Sequence, residues 1–78
     1  MKLSELKKGQ RAIVKDIHGS KEMKQRLASF GLIKGAEVEL IDCSLTKSNI
    51  EIMVGTTLLA LRREEANNIE VEVIEDGL

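Results

Sequence analysis

His18 is the only histidine of this chain and Cys43 its only cysteine. Any acid–base, nucleophilic or metal chemistry must start from these two, or from carboxylates. Asp16 and His18 stand two apart, so in an extended segment they share one face. Glu22 follows shortly after, in a stretch with helical spacing. One imidazole with carboxylates suits Fe(II) or Mn(II), which makes His18, Asp16 and Glu22 the candidate metal ligands. The simpler reading, which we prefer, is that His18 is a solvated loop residue beside Gly19. No other cofactor is implied.

Structural zinc takes four ligands from Cys and His, and this chain has two such residues in all. Nucleophilic catalysis needs a nucleophile, a base and a group that orients the base. His18 and Cys43 are far apart in sequence, and nothing local joins them. The phosphate-cradling pattern Gly-x-x-x-x-Gly-Lys-Ser/Thr is absent from the sequence. The residues therefore point away from an enzyme.

Composition removes further classes. Twelve Lys and Arg face thirteen Asp and Glu, for a formal charge of −1. A nucleic-acid binder working through bulk electrostatics needs a basic excess. Phe30 is the only aromatic residue, so neither a proline-rich ligand nor an unstacked base has a platform to dock on. No run approaches the ~20 apolar residues that span a bilayer, and the first ten residues do not read as a secretory leader. A lone cysteine cannot form an internal disulfide, which fits a reducing compartment. The expectation is one domain over residues 1–78, cytoplasmic, without membrane insertion or nucleic acid.

What remains is the scaffold and its surface. Apolar alternation marks strands at 11–17, 36–44, 49–54, 57–62 and 69–75. The first alternates poorly, as a bulged strand or one covered on both faces would. A helix is expected over about residues 20–30, with Met23, Leu27 and Phe30 on one face. Ser20 is its N-cap candidate. Gly31 suits the left-handed residue that ends it, with Leu32 folding back on Leu27. Gly35 suits the positive-φ position of a type II turn. Residues 63–67 read as a one-turn helix, and Arg62-Arg63-Glu64-Glu65 as a solvated charge run with local ion pairs. Ile41, Met53 and Leu58 are apolar at positions where alternation calls for polar residues, so they are the candidate partner-binding residues. Short strands with one apolar face imply a mainly β fold, a small SH3-like barrel of about five strands with one inserted helix. An OB-type barrel usually places its helix later in the chain.

Three stretches carry a resemblance along nearly the whole length: LSELKKGQRAIVKDIHG, RLASFGLIKGAEVEL and LLALRREEANNIEVE. The Arg-Leu-x-x-x-Gly-Leu-x-x-Gly core and the Leu-Arg-x-x-Glu-Ala-x-x-Ile ending are fairly specific together. The chain resembles the FeoA family of small cytoplasmic ferrous iron transport proteins. The resemblance implies an SH3-like barrel with an accessory, regulatory role in bacterial iron uptake. It also implies a partner, the FeoB permease with its cytoplasmic GTP-binding domain, whose transport or GTP hydrolysis would be modulated. Two alternatives stand beside it. One is a direct Fe(II)-sensing module. The other is a free-standing equivalent of the SH3-like C-terminal domain of iron-dependent regulators, although the chain carries no DNA-binding segment. The loop Leu45-Thr46-Lys47-Ser48-Asn49 lacks the Gly-Asp-Pro-like turn frequent in the family.

Overall fold

The computed structural model describes residues 1–43 and 48–76. A 3-10 turn over Leu3–Glu5 leads into β1 (Arg11–Ile17) and then α1 (Lys21–Ala28). Three strands follow, β2 (Glu37–Cys43), β3 (Asn49–Val54) and β4 (Thr57–Arg62). A single helical turn, α2 (Arg63–Ala66), precedes β5 (Ile69–Glu75). Most of the loop between β2 and β3, including Leu45, Thr46 and Lys47, lies outside the described residues.

The five strands form one antiparallel sheet in the order β4-β3-β2-β1-β5. The SH3-like barrel expected from the sequence is not what forms. β4 and β5 end the sheet on opposite sides, and no ladder joins them among the described residues. The β5 edge has another neighbour. The free edge of β5 takes the N-terminal segment: Lys2 bridges Glu70, and the Val71 N–H donates to the Met1 carbonyl at 2.7 Å. β4 runs directly into α2, so its chain turns away at Arg62. An open sheet protects its edges with short covering segments where a barrel would close on itself.

Bulges explain the irregular alternation. In β1 against β5, Val14 pairs with Val71 and Asp16 with Glu70, which leaves Lys15 as the extra residue. The shift returns Ile17 to the core side, opposite the fully buried Ile69. In β2 against β3, Leu40 pairs with Ile52 and Asp42 with Glu51, so Ile41 is the extra residue. Each bulge moves the following side chains to the other face. Cys43 thereby joins the core edge beside Ile50.

The core is aliphatic and gathers residues from every strand, from both helices and from the N-terminal turn. Leu3, Leu27, Leu32, Ile52 and Ile69 are each fully buried. Burying a Leu or Ile side chain contributes roughly 1.5–3 kcal/mol. Phe30 departs from the helical-face expectation. α1 ends at Ala28, and Phe30 sits in the exit turn with 43% of its surface exposed. Leu27 alone of the three is buried, and Met23 packs at the core margin.

The ends of α1 account for its short length. The Ser20 hydroxyl accepts the Met23 N–H at 3.0 Å, occupying one of the unpaired donors of the first turn. At the other end the Leu32 N–H reaches the Leu27 carbonyl at 3.0 Å, and the Gly31 N–H reaches Ala28 at 2.9 Å. These two bonds define a Schellman end, and Gly31 takes the left-handed φ of 87° that it requires. Gly35, at φ 94°, sits in the next turn, closed by the Ala36 N–H on the Ile33 carbonyl at 3.0 Å. The Gly35 N–H also donates to Val14 at 2.8 Å, and the Val14 N–H donates to Ala36 at 2.9 Å. The two glycines thus tie the helix exit to the centre of β1.

Candidate functional site

His18 lies just past the end of β1, where its backbone N–H donates to the Asn68 carbonyl at 2.7 Å. Its Nε2 is 3.9 Å from the Asp16 carboxylate, and both side chains are more than half exposed. Asp16 spends its other oxygen on the Ile17 N–H at 2.9 Å. The structure brings Asp16 and His18 together as the strand face predicts. Glu22 stays on the first turn of α1, and no group of three or more metal-ligating side chains assembles among the described residues.

Cys43 is half-buried, and its sulfur accepts from the Arg63 guanidinium at 3.2 Å. That contact joins the end of β2 to α2, far from His18 in the chain.

Met53 and Leu58 stand directly opposite each other on β3 and β4. Leu58 is 53% exposed and Met53 half-buried. On the other side Met53 faces Glu39. Ile41 is half-buried at its bulge, so its break in alternation has a local structural cause.

The outer face of the sheet is laced with charge. Arg11 on β1 is ion-paired with Glu37 on β2 and, at 2.8 Å, with Glu75 on β5. Its guanidinium is held above its ordinary pKa, chiefly by the hydrogen bond and charge of Glu37, then by Glu75. Lys15 at the bulge pairs with Glu72 at 3.2 Å. These contacts link three strands.

A concave feature lies beside α1. It is a groove of about 420 Å³ between the helix, the end of β1 and the turn that follows the helix. One wall is Lys21, Lys24, Gln25 and Ala28, whose spacing places them on one helical face. Ile17 and the buried Leu32 lie deepest, and Ile33 and Lys34 of the turn after the helix complete the lining, with Asp16 contributing one carboxylate. Ile33 is 51% exposed. In the sequence this set is hidden. The lysines look like the solvated side of an amphipathic helix, and Ile33 looks like filler between two glycines. The one available signal is an apolar side chain held in a turn where a polar one is usual.

The model of the FeoA domain matches residues 1–73. The chain belongs to the FeoA family. A Campylobacter jejuni protein named as a candidate Fe(2+) transport protein A is 43% identical over 74 residues, covering 95% of this chain and all of that protein. A Porphyromonas gingivalis protein named as an Fe(2+) transport protein A/Fe(2+) transporter FeoB fusion is 30% identical over 77 residues. The match takes in 99% of this chain and 9% of the fusion. The solution structure of the FeoA protein from Chlorobium tepidum superposes with a TM-score of 0.89 at 36% identity, over 95% of this chain and 70% of that one. Among the described residues of this FeoA-type fold, no helix is long and apolar enough to cross a membrane.

Proposed function

We propose that this FeoA-family chain is a cytoplasmic accessory protein of ferrous iron uptake. It docks on the cytoplasmic side of a FeoB-type permease and modulates transport or GTP hydrolysis, with no chemistry of its own. The observation that carries this reading is the Porphyromonas gingivalis fusion, in which a relative of nearly the whole chain is covalently joined to the transporter. Fusion of two modules raises their effective concentration to about the millimolar range, an arrangement of use when the two act together. Two surfaces are available for docking, the Met53–Leu58 pair on the sheet and the groove beside α1.

The test is a calorimetric titration of the permease's cytoplasmic domain with this chain, run without nucleotide, with GDP and with a non-hydrolysable GTP analogue. Binding in at least one state is expected, together with slower Fe(II) uptake by cells lacking the chain. Absence of binding in every state, with uptake unchanged on deletion, would falsify the reading.

A further inference from the structure

We propose that the groove beside α1 receives an acidic segment of the permease partner that carries an apolar anchor side chain; this rests on the permease reading above. The first observation is charge. Lys21 and Lys24 of α1 and Lys34 of the turn that follows it line the groove, against the single carboxylate of Asp16. Among the described residues no ion pair engages any of the three lysines, a state they share with Lys2, Lys7 and Lys8, but these three line one groove. In a chain of formal charge −1, this is a local concentration of uncompensated positive charge. A partner carboxylate entering it meets attraction from lysines of two segments, which speeds encounter and fixes register.

The second observation is the floor. Leu32 is fully buried and Ile17 half-buried, so both are recessed below the lysines. Ile33 stands half out of the surface at the rim. A side chain entering from a partner would cover Ile33 and rest on the exposed part of Ile17, while flanking carboxylates reach the lysines. An anionic bilayer fits less well, because its flat surface would not reach apolar groups set below the charged rim. The Met53–Leu58 pair offers no comparable charge, and its in-register neighbour on β2 is Glu39.

The experiment titrates the permease's cytoplasmic domain into the full chain and three variants, Lys21→Glu with Lys24→Glu, Ile33→Asp, and Leu58→Asp. Circular dichroism melting verifies that each variant is folded. The two groove variants are expected to weaken binding by about tenfold or more, and Leu58→Asp by less than about twofold, with wild-type affinity falling as NaCl is raised. Wild-type affinity in both groove variants overturns the groove and leaves the permease reading intact. Loss confined to Leu58→Asp overturns it in favour of the sheet face. Failure of the wild-type chain to bind in any nucleotide state removes the permease reading and this proposal with it. A phosphatidylglycerol vesicle is the remaining probe. Vesicle binding that the groove variants lose, while the permease titration is unchanged, overturns the proposal in favour of a membrane.

Discussion

Arg26 on α1 and Glu65 on α2 form an ion pair that ties together two helices far apart in sequence. Glu65 is the better buried partner, with 17% of its side chain exposed against 53% for Arg26. Its other oxygen accepts the Arg62 N–H at 3.1 Å, capping the start of α2. The run Arg62-Arg63-Glu64-Glu65 reads as a solvated stretch, yet one of its carboxylates works across the fold. Because Arg26 remains largely in water, the pair is worth little on its own. A double-mutant cycle with Arg26→Ala and Glu65→Ala should give a coupling of about 0.2–1 kcal/mol in urea denaturation. A coupling of zero would mean that the pair does not hold the helices together in solution.

Gly31 sets a second expectation. A Cβ built there would meet only the Val54 methyl, at the ordinary contact distance of 3.7 Å. Space is therefore available, and the obstacle is the backbone φ of 87°. Gly31→Val should destabilise the fold by about 1–3 kcal/mol through strain alone. Unchanged stability would show that the helix exit does not depend on the left-handed residue.

Leu27 and Phe30 separate burial from size. Leu27 is fully buried and Phe30 is 43% exposed. Leu27→Ala should cost about 2–5 kcal/mol, a large share of the stability of a domain this small. Phe30→Ala, despite removing the bigger side chain, should stay within about 0.5 kcal/mol. Chemical denaturation of the two variants side by side checks the order. A larger loss for Phe30→Ala would place the aromatic ring in the core.

Glu70 gives a pH dependence. Its carboxylate lies 2.6 Å from the Met1 ammonium. The hydrogen bond from that ammonium, and then its charge, hold the carboxyl below its ordinary pKa. A depressed folded-state value stabilises the fold above the unfolded value, and the contribution is lost as pH falls through the folded one. Glu70→Gln should therefore lower Tm at neutral pH, with the gap to wild type closing in acid below the ordinary carboxylate range. Acetylating the amino terminus should have the same effect. A gap that persists in acid would show that the charge plays no part.

Local pattern was enough for much of this protein. Strand spans at 49–54, 57–62 and 69–75 follow from alternation, because side-chain period is a property of the chain itself. Ser20, Gly31 and Gly35 stand out for the same kind of reason, since capping and positive φ act within a few residues. The family was legible too, in motifs spread over the length. The extra residues Lys15 and Ile41 were not, because a bulge exists only relative to a partner strand whose register is set elsewhere. Nor was the open sheet, whose β5 edge is occupied by the N-terminal segment, a contact between opposite ends of the chain. The groove came the same way: Ile17, Lys24 and Ile33 belong to three separate elements. Sequence determined the elements, their caps and the family. Tertiary packing alone decided which faces meet, which edges are covered and where three unpaired lysines line one groove, since each depends on residues that local chain geometry does not bring together.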